Sequence, residues 1–291
     1  MMKKLRFGIP KGSLQNATVR LFERSGWKIN INGRSYFPDI NDDTMECSIC
    51  RAQEMSRHVE NGALDAGLTG KDWIEENESD VIIVDDLVYS KVSQSPARWV
   101  VAVPADSNMR TLEDLKGKKI STELVNFTKR FFQNHDIDVK VEFSWGATEA
   151  KVVSGLADAV VEVTETGGTL RAHGLKIIYE LMQTNTQLIA NRESYKDPFK
   201  RSKIEQIILL LKGALRAENM VGLKMNLPQK NVEKIIEILP SLNAPTVAGL
   251  YNSSWVSVEV IVDVSAVRDL IPRLMDAGAE GIIEYPLNKV V

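Results

Sequence analysis

The sequence predicts an α/β fold of two lobes, followed by a smaller α+β domain toward the C-terminal end. Three observations predict it. Strand-like apolar runs alternate with helix-like runs from Leu5 onward, and the alternation restarts near Pro104. After about Met220 the order of predicted strands and helices changes. With 291 residues, 44% of them apolar, the chain is long enough to build more than one hydrophobic core.

The first lobe opens with an apolar strand, a turn and an amphipathic helix, read from LRFGI, PKGS and the residues after them. Further strands are predicted at MECSIC, LDAGLTG, DVIIVDDLV and RWVVAVP, and helices at AQEMSRHVENGA and KDWIEEN. Strands that alternate with helices in this way form a mostly parallel sheet. We place this lobe at residues 1–102 together with residues 184–212.

The second lobe repeats the pattern and is expected at residues 103–183. Its strands are predicted within TLEDLKGKKIST, VKVEFS and DAVVEV, and its helices within NFTKRFFQNHDI and TEAKVVSGLA. The strands LKIIYELM and TQLIAN then lead back toward the first lobe. Two lobes joined by crossing strands leave a cleft at their hinge, and such clefts are preferred ligand sites.

The remaining residues, 213–291, are expected to form the smaller domain. The long amphipathic helix KIEQIILLLKGALRAEN, residues 203–219, leads into them. Their strands and helices are predicted in alternation within MVGLKMNLP, QKNVEKIIEILP, WVSVEVIVD and SAVRDLIPRLMDAGAEGIIEYPL. This order suits a ferredoxin-like α+β domain, and such domains commonly regulate.

Composition and charge argue against several classes of function. The formal net charge of −3 gives no basic nucleic-acid footprint, and no apolar stretch reaches the roughly 18 residues of a membrane helix. The N-terminal residues lack an apolar run of signal-peptide length, so we expect a cytoplasmic protein. Cysteine and histidine spacing identifies no set of metal ligands, because Cys47 and Cys50 have no second pair and the histidines, His58, His135 and His173, are isolated.

The segment VVEVTETGGTL, residues 160–170, places a Thr-Gly loop directly after a predicted strand. Glycine permits tight turns and the close approach of an anion, and threonine hydroxyls and backbone N–H groups add donors. Glu162 and Glu165 offer carboxylates for ribose hydroxyls or a metal ion. The segment therefore indicates a phosphate-binding loop, with an ordinary turn built from common turn residues as the alternative.

Other strand-to-helix turns carry charged, hydroxyl or glycine residues of the same kind: Lys11, Arg51, Thr69, Gly70, Asp72 and Glu149. Ligands of α/β sheets bind at the carboxyl ends of strands, where these turns are predicted to lie. Helix capping would also explain Asp72, and the helix dipole would also explain Glu149. Together, the turns of both lobes suit a large polyphosphate substrate held in the cleft.

The segment EAKVVSGLADAVVEVTETGGTL, residues 149–170, resembles the signature of the ATP phosphoribosyltransferase family, which catalyses the first step of histidine biosynthesis. The segments LRFGIPKGSL, GALDAGLTGKDWIEE, LKGKKIST and LNAPTVAGL are similar to further parts of that family. The resemblance covers nearly the whole chain. It departs from the family at Glu162, where the family usually has Asp.

This resemblance implies two periplasmic-binding-protein-like lobes and a reaction in which N1 of the ATP adenine attacks C1′ of phosphoribosyl pyrophosphate. The residues it assigns to phosphoribosyl pyrophosphate are Glu162, Glu165, Thr166, Gly167, Gly168 and Thr169. Those it assigns to ATP are Lys11, Arg51, Thr69, Gly70 and Asp72. The expected catalytic residues are Lys11, Arg51, Glu149 and Glu162. Mg²⁺ is the expected cofactor, bound to the pyrophosphate group.

The family has a short form that needs a partner subunit and a long form with a C-terminal regulatory domain, and this chain resembles the long form. The long form implies a homohexamer in exchange with dimers, inhibited by histidine and without a separate regulatory subunit. Residues 244–247 and 277–281 resemble its histidine-binding segments, which assigns Pro245, Thr246 and Ala279 to that site. Some members have an acidic residue near Lys224, where a lysine would repel the ammonium group of histidine.

Two other interpretations stay open at this point. A phosphoribosyltransferase of the other common type, acting on a pyrimidine or purine, usually has two adjacent acidic residues before the loop. Here Val163 and Thr164 separate Glu162 from Glu165. A two-lobed solute-binding or ligand-sensing protein fits the lobes, but it leaves residues 213–291 unexplained.

Overall fold

The computed structural model describes residues 3–31, 35–89, 97–240 and 244–291. Leu242 and Asn243, part of the LNAPTVAGL segment, lie outside the described residues. The chain divides into a first compact unit, Met1–Arg20 with Trp27–Ile208, and a second, Leu21–Gly26 with Leu209–Val291. Apart from residues 21–26 and 209–212, both predicted lobes belong to the first unit. Among the helices described, none has the length and apolar character needed to cross a membrane.

The helices and strands follow the predicted alternation closely. From the N-terminal end to the first crossing between lobes they are β1 (Leu5–Lys11), α1 (Gln15–Ser25), β2 (Ile29–Asn30), β3 (Asp39–Ile40), β4 (Met45–Arg51), α2 (Ala52–Glu60), β5 (Ala66–Gly70), α3 (Lys71–Asn77) and β6 (Ile82–Leu87). The second lobe contains β7 (Ala97–Pro104), β8 (Lys119–Thr122), α4 (Val125–Asn134), β9 (Lys140–Phe143), α5 (Thr148–Val153), β10 (Ala159–Thr164), α6 (Gly168–Ala172) and β11 (Leu175–Thr184). The chain then returns through β12 (Thr186–Ala190), α7 (Arg192–Lys196) and α8 (Pro198–Ala217).

The two lobes are built on five-stranded sheets with the same topology. The first has the order β4-β1-β5-β12-β6 and the second has the order β11-β7-β10-β8-β9. In each sheet three strands are parallel, and the other two pair antiparallel. The sheets are therefore mixed, because β12 and β7 enter them from the crossings between the lobes and run opposite to the parallel strands. The two-lobed α/β prediction is confirmed, while the expected change of lobe between residues 102 and 103 falls inside β7.

Close packing of α2 on the first sheet depends on two glycines. A first side-chain carbon at Gly8 in β1 would lie 2.3 Å from the sulfur of Met55, and one at Gly67 in β5 would lie 2.6 Å from it. The Met55 side chain is fully buried over these two strands. Because α2 begins directly after Arg51, this packing fixes the position of that residue at the end of β4.

A buried carboxylate connects the first sheet to the helices that follow β12. The side chain of Asp65, which is 0% exposed, accepts hydrogen bonds from the backbone N–H of Arg6, from Ser194 Oγ and from Lys200 Nζ, each at 2.8 Å. The guanidinium of Arg6 adds an ion pair at 2.8 Å. Burial alone would raise the pKa of Asp65, but these donors outweigh it and hold the pKa well below its usual range.

The second unit contains a four-stranded antiparallel sheet. Its elements are β13 (Met220–Pro228), α9 (Val232–Ile238), β14 (Thr246–Gly249), β15 (Trp255–Asp263), α10 (Val264–Asp276) and β16 (Glu280–Pro286). The strand order β14-β15-β13-β16 with two helices is the ferredoxin-like arrangement, as predicted. The sheet and the helices enclose a hydrophobic core that includes Leu223, Val258 and Leu274. The short strand β14 was not predicted, because its four residues are all exposed and carry no alternating pattern.

Replacing Asp65 by Asn is expected to destabilise the protein by about 3 kcal/mol or more, because Arg6 and Lys200 would lose a buried counter-charge. The pKa of Asp65 is lowered in the folded state, so its contribution is present above about pH 4 and is lost as the pH falls. Urea unfolding at neutral pH measures the loss. Asp80→Asn is the matched control, because Asp80 is 68% exposed beside Arg192 and should cost less than about 1 kcal/mol. Equal losses in the two variants would contradict the assigned role of Asp65.

Candidate active site

A cavity of about 630 Å³ lies between the two sheets of the first unit. The first lobe contributes the ends of β1, β4 and β5 and the start of α3, and the second contributes Ala97, Val163 and Glu165. Thr184, Asn185 and Thr186, where the chain returns from β11 to β12, also line it, as do Val88 and Tyr89 after β6. The cavity therefore lies at the predicted place, where strand ends meet the crossing between the lobes.

Two cations stand side by side on the first-lobe wall. Lys11 and Arg51 are the last residues of the parallel strands β1 and β4, and they are partners in the strand register. Both are exposed and both line the cavity. The PKGS segment was predicted as a turn, but β1 continues through Lys11, and this continuation carries the side chain to the strand end. Two positive charges at one sheet edge suit a polyanionic ligand.

Each of these cations faces an aromatic ring. The ammonium nitrogen of Lys11 lies 4.6 Å from the ring centre of Tyr36 and 3.2 Å from its hydroxyl. The guanidinium carbon of Arg51 lies 4.8 Å from the ring centre of Trp145, which belongs to the second lobe. Both distances are within the range of cation–π attraction.

Asp72 is a buried carboxylate at the hinge. It lines the cavity although it is only 7% exposed, and its carboxylate accepts hydrogen bonds from Trp99 Nε1 at 2.8 Å and from the backbone N–H of Trp73 at 2.9 Å. Its own N–H donates to Thr184 Oγ at 3.2 Å. Burial raises the pKa of Asp72 despite these donors. Asp72 therefore connects α3 to β7 and β11 and does not serve as a helix cap.

The neighbouring residues of the same turn have different environments. Gly70 lines the cavity beside Asp72. Thr69 is fully buried, and its hydroxyl donates to the carbonyl oxygen of Ala52 at 2.7 Å. This hydrogen bond joins β5 to the start of α2, so Thr69 supports the wall of the cavity from behind.

The Thr-Gly loop joins β10 to the short helix α6. Gly167 adopts a left-handed conformation with φ 73°, and its N–H donates to Thr164 Oγ at 2.8 Å. The N–H of Gly168 donates to Thr166 Oγ at 3.3 Å. Gly168 has ordinary negative φ, and a side chain there would meet only the Thr166 hydroxyl, at 3.4 Å. The loop thus presents backbone N–H groups and threonine hydroxyls after Glu165, with open space in front of Gly168. Val163 and Glu165 line the cavity, whereas Thr166, Gly167, Gly168 and Thr169 lie outside its lining.

Glu162 lies within a group of carboxylates in the second lobe. Burial, together with the charges of Glu123 and Glu149, raises its pKa to about 7, against the effect of a 3.2 Å hydrogen bond from the N–H of Val163. Glu149 lies in the first turn of α5. Glu123 was not predicted, although it follows β8 directly and β8 is the parallel neighbour of β10. The rule that strand ends gather at one sheet edge would have identified it.

The cysteines are both free thiols in β4. Burial raises the pKa of Cys47 to about 12 and that of Cys50 to about 11, so the reactive thiolate form is disfavoured. Within the described ranges, no group of three or more His, Cys, Asp or Glu side chains could hold a metal ion.

In the second unit, Thr246, Glu259 and Lys224 form a row across three adjacent strands. Glu259 is the register partner of Thr246 in β14 and of Lys224 in β13. It also accepts a hydrogen bond from the Tyr285 hydroxyl. Glu259 therefore supplies an acidic group beside Lys224, which the sequence did not predict. Ala279, by contrast, is part of the hydrophobic core, so its methyl group faces away from any ligand on this row.

Lys11 and Arg51 line the cavity from the first lobe, and Glu165, which leads into the Thr-Gly loop, lines it from the second. This arrangement is that of a two-lobed enzyme that binds phosphorylated substrates. Models of two families match the chain: "ATP phosphoribosyltransferase" over residues 51–213 and "HisG, C-terminal domain" over residues 217–289. An ATP phosphoribosyltransferase of Desulfatibacillum aliphaticivorans is 69% identical over 291 residues, all of both chains, and one of Desulfosudis oleivorans is 68% identical over the same span. The chain belongs to the ATP phosphoribosyltransferase family, in its long form.

A solved structure supports the same assignment. The ATP phosphoribosyl transferase (HisG:HisZ) complex from Thermotoga maritima contains a chain with a TM-score of 0.62 and 25% identity. The match covers 72% of this chain and 96% of that chain, so part of this chain has no counterpart there. The protein is thus a pentosyltransferase of the first step of histidine biosynthesis. The two alternatives left by the sequence, a pyrimidine or purine phosphoribosyltransferase and a solute-binding protein, are excluded.

The pKa of Glu162 predicts how stability depends on pH. Because its pKa is raised to about 7 in the folded state, ionisation penalises the folded state as the pH rises from about 4.5 through 7. Glu162→Gln should therefore be more stable than the wild type by about 2 kcal/mol near pH 8, with the difference disappearing near pH 4. Urea unfolding at the two pH values measures this. Glu142→Gln, at an exposed carboxylate of β9, should change little at either pH, and a pH-independent effect of Glu162→Gln would contradict the shift.

Proposed function

We propose that this protein condenses ATP with 5-phosphoribosyl 1-pyrophosphate to give N1-(5-phosphoribosyl)-ATP and pyrophosphate in the cleft of the first unit. The observation that carries the proposal is the meeting, across one cavity, of Lys11 and Arg51 with Glu165, the residue that directly precedes the Thr-Gly loop. The family assignment supplies the reaction, and the cavity supplies groups for both substrates.

The chemistry needs positioning and charge more than proton transfer. Adenine N1 already carries a lone pair, so a bond from N1 to C1′ forms as the C1′–O bond breaks and its electron pair leaves with pyrophosphate. Positive charge develops at the ribose ring and negative charge on the leaving group. A carboxylate beside the ribose and cations beside the phosphates stabilise both charges. Glu162, with Glu149 near it, has the first role in our proposal, and Lys11 and Arg51 have the second.

The Thr-Gly loop is assigned to the 5-phosphate of phosphoribosyl pyrophosphate. Its threonine hydroxyls and backbone N–H groups now bond to one another, and an anion in front of Gly168 would be offered the same donors. Glu165, which lines the cavity, is placed to accept hydrogen bonds from the ribose hydroxyls. Above about pH 7, Glu162 is ionised and can do the same.

Magnesium is proposed to enter with phosphoribosyl pyrophosphate. Mg²⁺ commonly keeps several waters and binds through one or two carboxylates and substrate phosphates, which suits a cleft without a complete protein ligand set among the described residues. Glu162 and Glu165 are the carboxylates available for it. When bound, the ion would neutralise charge on the leaving pyrophosphate.

Histidine is proposed to inhibit the enzyme by binding at the second unit, on the row of Thr246, Glu259 and Lys224. Glu259 would accept hydrogen bonds from the ammonium group, and Lys224 would pair with the carboxylate of the same ligand. Pro245 lies beside this row and Ala279 supports the sheet from the core. We further propose a cytoplasmic homohexamer that exchanges with dimers and needs no separate regulatory subunit, because the chain carries its own C-terminal domain.

The catalytic proposal is tested by incubating the protein with ATP, phosphoribosyl pyrophosphate and Mg²⁺ and following phosphoribosyl-ATP by its absorbance. In Gly168→Val, the side chain would occupy the space in front of the loop, and the KM for phosphoribosyl pyrophosphate should rise about ten-fold to a hundred-fold. Gly249→Val is the matched control, because a side chain there meets nothing within 4 Å. No product from folded wild-type protein would refute the function, and an unchanged KM in Gly168→Val would refute the loop assignment.

The regulatory proposal is tested by calorimetric titration of histidine into the full-length protein. Glu259→Gln should weaken histidine binding about ten-fold, because an ammonium–carboxylate hydrogen bond is lost. Glu237→Gln changes an exposed carboxylate of α9 in the same unit and should leave the affinity unchanged. Equal histidine affinities in the wild type, Glu259→Gln and Glu237→Gln would show that histidine does not bind at this row.

A further inference from the structure

The contact between Arg51 and Trp145 joins the two walls of the cleft. Arg51 ends β4 in the first lobe and lines the cavity, while Trp145 follows β9 in the second lobe. The guanidinium carbon is 4.8 Å from the centre of the indole ring. Trp145 does not line the cavity itself, so this pair lies at the edge of the cavity and not within it.

Trp145 is held out from its lobe by a constrained loop. The residues after it, Gly146 and Ala147, both have left-handed backbone conformations, with φ 62° and φ 47°. The N–H of Gly146 donates to a carboxylate oxygen of Glu123 at 3.2 Å, which attaches the loop to the end of β8. Phe143 supports the indole from one side, with ring centres 5.9 Å apart. The loop therefore presents the indole and does not bury it.

The indole is unusually exposed for its size. Trp145 is 61% exposed, whereas Trp27 and Trp99 are 6% and 2% exposed. Its partner Arg51 is also exposed. A large aromatic face held in solvent beside a cation at the mouth of a phosphate-binding cleft offers a stacking surface for a planar ring, and a purine stacks well on tryptophan.

The 4.8 Å separation leaves no space for a purine between guanidinium and indole, since two stacked layers would need about 7 Å. A base that stacks on Trp145 must therefore displace Arg51 from the face it now covers. The displaced guanidinium has five N–H donors and suits bidentate binding of a phosphate. Base stacking and phosphate binding would thus be linked through a single side chain.

We propose that Trp145 is the residue that stacks on the adenine ring of ATP, and that it exchanges Arg51 for the base, which frees Arg51 for the phosphates. The proposal rests on the proposed function, because it names the residue that receives one of the two substrates. Trp145 binds the nucleobase of the acceptor substrate and makes no contact with phosphoribosyl pyrophosphate.

The binding experiment uses the full chain and does not depend on turnover. Trp145 is the exposed member of five tryptophans, so its fluorescence should change when adenosine or ATP is added and stay constant with tripolyphosphate. Trp145→Phe should lose this signal. In calorimetric titration, Trp145→Ala should weaken ATP binding at least about five-fold, and Trp145→Phe, which keeps a ring, should restore most of the affinity.

Steady-state kinetics separate stacking from a purely structural role. Trp145→Ala should raise the KM for ATP and leave the KM for phosphoribosyl pyrophosphate within about two-fold of the wild type. Tyr251→Ala removes another exposed aromatic ring, 93% exposed in the second unit, and should alter neither. Unchanged ATP affinity in Trp145→Ala, or equal weakening of both substrates, would overturn the proposal. Absence of turnover in wild-type protein that still shows the adenosine signal would instead refute the proposed function alone.

Discussion

The buried carboxylate of Asp65 is the interaction on which the first lobe depends. It binds the backbone and the guanidinium of Arg6 at the start of β1, and it precedes β5 directly. Holding the two strands together at this end sets their parallel register, and the register decides which residues meet at the other end. Lys11 and Gly70 reach the cleft because their strands are aligned at the opposite edge of the sheet. Ser194 and Lys200 extend the same network to α7 and α8.

A second buried acidic residue, Asp72, connects the two lobes at the hinge. Asp72 belongs to the first lobe, but its hydrogen-bond partners Trp99 and Thr184 lie on the strands that cross between the lobes. The N–H of Lys71 donates to the carbonyl oxygen of Asn185 at the same place. Burial raises the pKa of Asp72, and the hydrogen bonds from Trp99 and Trp73 act against that rise.

The sequence predicted the architecture well because its periodicity is strong. The strands and helices of both lobes and of the C-terminal unit follow apolar runs that end at glycine or polar turns. The residues it missed have no such pattern: β14 is exposed throughout, and Glu123 and Trp145 become important only when β8 and β9 are placed beside β10 and opposite β4. The sequence also does not show which way a side chain points. Ala279 was therefore expected at a ligand site, but it lies in the hydrophobic core of the second unit. The roles of the individual site residues stay predictions.

The sheet order has a consequence for how the chain folds during synthesis. Among the residues that the structure describes, strand β6 pairs only with β12 in its sheet, and β12 is made after the whole second lobe has been synthesised. The second lobe is one continuous stretch, so all of its strands are present before the first lobe can close. We therefore expect the later lobe to fold before the earlier one on the ribosome, with β6 left as an open edge until β12 arrives. Asp85 and Asp86 lie on β6, and their acidic side chains disfavour pairing of its open edge with strands of other molecules.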